Sequence, residues 1–260
     1  MKNVLLTFDL EEFDAPLEFG GEISKNEQFE ISKQGLLLIL ELLSKYDIKA
    51  TFFTTANFAK HFPKIMKDIS KKHEVACHGY NHSDSYFEDL GKIPLAKKEI
   101  EKIIKKEIKG FRAPRFEIKD ISELKKFNFV YDSSIHPTFI PGKYMNLFKK
   151  RKPHRVGEII EISPSTLPII RLPIFWLAFK NFPLVYSKLF SQINFMSSDY
   201  LMLVFHPWEF ADLNNVKMPN IIKKKSGKEL LNMLENYIIY LKEKGYVFST
   251  VGDYLLKSFR

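Results

Sequence analysis

Two histidines four residues apart, His78 and His82 in "CHGYNHSD", and a pair of spaced carboxylates, Asp9 and Glu11 in "FDLEE", are the residues of this chain whose types and spacing could do chemistry. Imidazole nitrogen and carboxylate oxygen are donors that a divalent ion such as zinc accepts, and a catalytic site uses three protein ligands with one position left open. His78 and His82 supply two of them. An i, i+4 pair at the start of a helix can point both rings one way, and one carboxylate of "FDLEE" completes the set. Such a centre lowers the pKa of a water and makes hydroxide available near neutral pH. Taken alone, the histidine stretch is equally a capping turn, so other parts of the chain must bring the remaining groups.

The elements that would position them alternate. "NVLLTFDL" (3 to 10) reads as a buried strand, followed by an irregular acidic loop to about Glu30. "KQGLLLILELLSKY" (33 to 46) has an apolar helical face, "KATFFTT" (49 to 55) is the next strand, and "PKIMKDISKKH" (63 to 73) opens with Pro at a helix start before the strand "EVACH" (74 to 78). A helix around 94 to 108, "GFRAPRF" (110 to 116), a helix over 120 to 127 and "FVYDSS" (129 to 134) continue the rhythm. Prolines break it over 135 to 167. "PIIRLP" (168 to 173) and "YLMLVFHP" (200 to 207) restore strands, a long amphipathic helix covers 227 to 245, and "YVFST" (246 to 250) ends the series.

Alternating strands and helices predict a parallel sheet with helices outside it, as a barrel or an open sheet. The polar outliers then share one topological position. Asp9 and Glu11 follow the first strand, His78 and His82 the third, Arg112 and Arg115 the fourth, Asp132 the fifth and His206 a late one. In parallel βα architectures the C-terminal strand ends converge on one face, where groups from several strands meet.

The totals agree with an enzyme of this kind. At 260 residues and 45% hydrophobic, the chain suits one domain over residues 1–260 with a full core. Its single cysteine, Cys77, excludes an internal disulfide framework, fits a reducing compartment and reads as a small buried strand residue. The start lacks a secretory pattern and no run is long enough to span a bilayer, so a cytoplasmic enzyme is expected. The net charge of +9 is spread over amphipathic segments such as "KKEIEKIIKKEIK", as a solvated face, and no nucleic-acid motif accompanies it. The denser run "FKKRKPHR" (148 to 155) reads as an exposed loop, or as an anchor for phosphate or an acidic saccharide.

In this order and spacing, "TFDLEE", "HGYNH", "FRAPRF", "YDSS" and "VFHPW" resemble the motifs of the polysaccharide deacetylase (NodB-homology) superfamily, carbohydrate esterase family 4-like, from about residue 4 to residue 210. The resemblance implies an α/β fold, a distorted (β/α) barrel, and a metal-dependent hydrolase that removes N-acetyl groups from sugar units, with a role in making surface polysaccharide. Carried over by motif, Asp9 is the general base. The family's usual second Asp is Leu10 here, and Glu11 takes the place of the metal carboxylate beside His78 and His82; Glu12 should face the other way if the strand continues. Arg112 holds the base, His206 is the general acid, and Asp132 orients its imidazole. A backbone N–H near Tyr80 would hold the oxyanion, and Trp208 would wall the acyl pocket. The implied cofactor is a divalent metal, zinc first.

The implied partner is an N-acetylated saccharide. If that saccharide is lipid-linked, the aromatic-rich segment 171 to 195 reads as an interfacial face, with peripheral contact at the inner membrane surface; otherwise it is a packed helix. Two other readings keep the fold: an allantoinase-like cyclic amide hydrolase, and a non-catalytic carbohydrate-binding relative. The presence of both a base and an acid favours a hydrolase, since binding needs neither.

Overall fold

Seven consecutive buried residues, Val4 to Leu10, make β1 (Asn3–Leu10) a central strand; a strand covered on both faces reads as an unbroken apolar run. The computed structural model describes residues 1–82, 91–140, 144–173 and 176–259. After β1 come a short helix α1 (Ala15–Glu18), the long α2 (Lys25–Lys45), β2 (Thr51–Thr54), α3 (Ala56–His61), α4 (Pro63–Lys72), β3 (Glu74–Cys77), α5 (Lys92–Ile104), β4 (Gly110–Phe111) and β5 (Tyr131–Asp132). The second half holds a hairpin of β6 (Phe139–Ile140) and β7 (Tyr144–Met145), then an antiparallel pair, β8 (His154–Val156) and β9 (Ile159–Glu161). It continues with α6 (Trp176–Asn181), α7 (Leu184–Ser197), β10 (Tyr200–Phe205), α8 (Asn220–Lys223), α9 (Lys228–Glu243), β11 (Val247–Phe248) and α10 (Val251–Ser258).

The main sheet runs β10-β1-β2-β3-β4-β5-β9-β8, with β11 beside the start of β1. Every neighbouring pair is parallel except β8 with β9. The segment after β9 curls back onto β10, where the Ser165 N–H donates to the Met202 carbonyl (3.1 Å) and the Met202 N–H donates to Ser165 Oγ (2.9 Å). The architecture is a curled, distorted (β/α) barrel, as expected. Its main apolar cluster joins the outer face of the sheet to α2, α5 and α9 through residues such as Phe8, Leu36, Phe52, Ile100 and Leu234. Cys77 is buried in β3, and burial pushes its thiol up to about 12, which leaves it protonated and unreactive.

Two stretches differ from the sequence reading. The expected acidic loop to Glu30 already contains the first turns of α2, because Ser24 and Glu27 form a capping box: the Glu27 N–H donates to Ser24 Oγ (3.3 Å) and the Ser24 N–H to Glu27 Oε2 (2.9 Å). The expected strand over 168 to 173 is a turn. Ile169 and Arg171 adopt φ of 67° and 55° there, and among the described residues one bridge, Thr166 to Pro173, is its only ladder contact; the prolines at both ends remove the donors a strand would need.

One glycine fixes how the second half meets the first. Gly35 on α2 lies against the turn Pro207–Phe210 that follows β10, and a β-carbon there would stand 1.8 Å from the Pro207 carbonyl oxygen. Only glycine permits that approach, which holds the turn carrying His206 against the body of the barrel.

Candidate active site

The C-terminal ends of β1, β3, β4 and β10 deliver Asp9, Glu11, His78, Arg112 and His206 to one rim. Asp9 and Glu11 are two apart at the end of β1 and so share a face; both are buried. Arg112, wholly inaccessible, donates from Nη1 to Asp9 Oδ1 at 2.6 Å and to Thr7 Oγ1 at 3.0 Å. Its Nε reaches the Ser133 carbonyl (3.3 Å), its Nη2 reaches Ser133 Oγ (3.0 Å), and the guanidinium lies 4.0 Å from the centre of the Phe53 ring. A planar fork satisfied on every side holds the carboxylate in one orientation.

Three imidazoles surround Glu11, and each has its Nδ1 engaged behind it. His78 Nδ1–H donates to the Arg112 carbonyl at 2.8 Å, an acceptor that fixes the tautomer. His82 Nδ1 meets Asp14 Oδ1 at 2.7 Å and His206 Nδ1 meets Glu209 Oε1 at 3.0 Å. All three Nε2 atoms therefore face the same carboxylate, at 3.1 Å for His78, 3.6 Å for His82 and 4.0 Å for His206. The glycine between the paired histidines makes the turn possible: Gly79 adopts φ of 77°, a region open to glycine at no steric cost. The Gly79 and Tyr80 carbonyls then accept from Ala56 and Asn57 at the start of α3, so "HGYNH" is a turn clamped to a helix end.

The cluster's electrostatics are those of an anion waiting for positive charge. Burial alone would raise Glu11, but the charge on His82, the hydrogen bond from His78 and the charge on His206 pull it down to about 2. Burial would lower His82, yet Glu11 and Asp14 bring it up to about 9. Burial also opposes a charge on His206, and the Glu209 hydrogen bond and the Glu11 carboxylate outweigh it, raising that imidazole. Either protons or a cation can meet this demand.

The donor set fits a divalent metal by its chemistry. Among the described residues no trio of His, Cys, Asp and Glu stands in a ready-made coordination geometry, and Glu11 instead touches His78 directly. The 3.1 and 3.6 Å separations from Glu11 Oε2 to the two ring nitrogens nevertheless bracket the roughly 3.4 Å between neighbouring donors of a four-coordinate zinc with bonds near 2.1 Å. Glu12, the rival carboxylate, is used elsewhere: it accepts from Thr55 Oγ1 (3.0 Å) and Asn57 Nδ2 (2.5 Å).

Residues 2–130 match the model of the polysaccharide deacetylase family. The chain carries a polysaccharide deacetylase domain and belongs to that family. A curated relative, the peptidoglycan deacetylase of Helicobacter pylori, is 29% identical over 141 residues, 47% of this chain and 46% of the relative. The chain spans less than half the length of the curated relatives it matches. Among solved structures, a candidate polysaccharide deacetylase from Mycobacterium smegmatis superposes with a TM-score of 0.66 at 18% identity, over 98% of this chain and 89% of that one. An allantoinase follows with 0.63 at 15% identity, over 96% and 88%. A CE4 family pseudoenzyme from Bacillus anthracis gives 0.55 at 17%, over 97% and 64%. At these identities the three share the deacetylase fold, and the fold alone separates none of them.

Two residues expected at this site have other surroundings. Asp132 does not reach His206. Its carboxyl accepts from the Ser134 N–H (2.9 Å) and Oγ–H (2.6 Å), and Ser134 Oγ in turn takes the Ala113 N–H (2.8 Å), so Asp132 braces the turn behind Arg112. The carboxylate on His206 is Glu209, three residues on, which also accepts the His206 backbone N–H (2.8 Å). Trp208, expected to wall a pocket, is buried between Phe13 and Trp176, stacks on His206 and points its indole N–H at Glu11 Oε1 (3.4 Å). The Tyr80 ring is half-buried against the core and its hydroxyl accepts from Lys60.

Sequence reasoning missed Asp14, Glu209, Trp176 and Lys180. Trp176 meets His206 edge-on, with ring centres 5.4 Å apart. Lys180 is fully buried, donates to the Ile222 carbonyl and Ser226 Oγ, and lies 3.8 Å from Glu209 Oε2. A signal existed for Glu209 alone: a Glu three residues after the start of a short turn is the spacing of a capping box.

Proposed function

We propose that the chain is a metal-dependent hydrolase that removes N-acetyl groups from the sugar units of a poly- or oligosaccharide. The observation that carries this reading is the convergence of three imidazole Nε2 atoms on the Glu11 carboxylate, beside an Asp9 clamped by Arg112. Glu11, His78 and His82 would hold the metal, and His with carboxylate suits zinc. When bound, such an ion acts as a Lewis acid toward the acetyl carbonyl and makes a water acidic near neutral pH.

The chain's own residues do the proton work. Asp9, fixed through Oδ1 by Arg112, takes the proton of the attacking water. His206 lies farther from Glu11 than the other two rings, and Glu209 keeps its Nδ1 protonated, so Nε2 is the atom that gains and loses a proton. From Nε2 the proton passes to the departing sugar nitrogen, since an amine leaves readily only once protonated. Trp208 and Trp176 pack around the His206 ring and cover much of it, leaving the side chain 14% exposed. The Helicobacter relative's name supports a substrate built of N-acetylated sugars, and a role in tailoring a surface polysaccharide belongs to the same proposal.

Acetate release from a panel of N-acetylated oligosaccharides, by zinc-loaded protein and by its Asp9→Asn variant, tests this reading. Release by the parent and its loss in the variant are expected. The panel includes a small cyclic amide, because an allantoinase shares the fold; turnover of that compound alone would replace the deacetylase reading.

A further inference from the structure

Beyond β5 the composition changes. Residues 133–198 hold nine Lys and Arg against two Glu, and neither acid is available to offset them: Glu161 is buried, and Glu158 pairs with Lys125 at 2.6 Å. Within this stretch the paired strands β6 and β7 and the turns at 146–149 and 168–171 are tied into one unit. The Asn146 N–H donates to the Thr138 carbonyl (3.0 Å) across the β6–β7 hairpin, Thr138 Oγ1 donates to the Arg171 carbonyl (2.8 Å), and Arg171 Nη1 donates to the Lys149 carbonyl (3.3 Å). Arg151 anchors the unit from behind, reaching the Thr166 carbonyl, Asn194 and Ser197.

What the unit presents outward is apolar side chains that a soluble surface would hide. Phe148 is 95% exposed, Ile169 92% and Met145 83%, with Phe139, Ile170 and Leu172 at least half as open. Lys149, Lys150, Lys152 and Arg155 are exposed among them. The chain leaves the unit at Pro173 and three residues later sets Trp176 against His206, so this surface borders the candidate active site.

We propose that this unit docks the protein on an anionic lipid bilayer, with Phe148 and Ile169 entering the headgroup boundary and the lysines lying over the anionic surface. Charge complementarity selects that occupant. A second copy meeting the first through the same patch would set like charges against each other, and an acidic saccharide gives no reason for bulky apolar tips at full exposure. Apolar insertion combined with basic residues is what interfacial binding requires. No described helix is long and apolar enough to cross a membrane; the proposed contact is made by these surface side chains. The surface does not depend on the deacetylase reading, since vesicle binding is measured without substrate.

The experiment is co-sedimentation of the full chain with vesicles of phosphatidylcholine alone and of phosphatidylcholine mixed with phosphatidylglycerol. Binding to the mixed vesicles only, weakening with salt, is expected. Phe148→Ser with Ile169→Ser should lower it by about tenfold or more. Lys149→Gln with Lys150→Gln and Lys152→Gln should lower it by about a hundredfold, at roughly fivefold per lysine. Unchanged unfolding midpoints verify that these exposed substitutions leave the fold intact. Absence of binding by the parent chain, equal binding to neutral vesicles, or loss of binding only in a Val185→Ser, Leu189→Ser variant of α7 overturns the proposal. Self-association abolished by the turn variants, without vesicle binding, assigns the surface to a second copy instead.

Discussion

Glu11 and Glu161 are both fully buried glutamates near the C-terminal ends of strands in one barrel, yet their carboxyls are pushed in opposite directions. Burial raises both. Around Glu11 the imidazoles of His82, His78 and His206 outweigh it. Beside Glu161 stands a second carboxyl, Asp132, which adds to burial and sends Glu161 well above the usual range; Asp132 itself is raised by burial. Depth and residue type are matched, so the neighbours across the barrel decide which carboxyl is an anion calling for a cation and which is a proton-holding brace.

Substitutions around the two groups should therefore differ in kind. The largest effects belong to the Glu11 side. Asp9→Asn is expected to lower kcat for acetate release by about a thousandfold while zinc content stays that of the parent; His78→Ala should lose the zinc as well. Parental turnover in Asp9→Asn would remove the base from the account. Next comes Glu209→Gln, expected to lower kcat by about tenfold to a hundredfold with KM little changed, against no more than about a twofold change for Asp132→Asn. The reverse ranking would return Asp132 to the role that the motif order suggested.

The remaining two effects concern stability. Gly35→Ala should cost about 1–3 kcal/mol in urea unfolding, because the new methyl must displace the Pro207 turn. Glu161→Gln is the smallest and the most diagnostic. With a folded pKa above the unfolded 4.5, parental Glu161 favours the folded state at low pH and erodes it as pH rises past that value. The variant, uncharged throughout, should match the parent near pH 4 and unfold about 2–4 °C higher at pH 7. A gain that is the same at both pH values would show that Glu161 is an ordinary carboxylate and that the contrast with Glu11 is false.

The sequence made some of this legible and hid the rest for identifiable reasons. Strands buried on both faces are continuous apolar runs, so β1, β2, β3 and β10 could be read directly, and the recurrence of polar residues after them pointed to one rim. Glu11 was separable from Glu12 by strand alternation, and the structure does send Glu12 to Thr55 and Asn57. Asp132 was misplaced because its distance to His206 is a property of barrel curvature, which periodicity does not encode. Asp14 precedes the short α1 and Trp176 opens the short α6, where contact across the rim leaves no local pattern. The turn at 168 to 173 looked like a strand because its apolar residues, facing outward, have the composition of a core.

Zinc content of purified Glu11→Gln and Glu12→Gln, each reconstituted alongside the parent chain, tests the central claim most directly. The parent and Glu12→Gln should each bind one zinc per chain, and Glu11→Gln should bind little or none. Full zinc binding by Glu11→Gln, or its loss only in Glu12→Gln, would contradict the assignment of the Glu11–His78–His82 cluster as the metal centre.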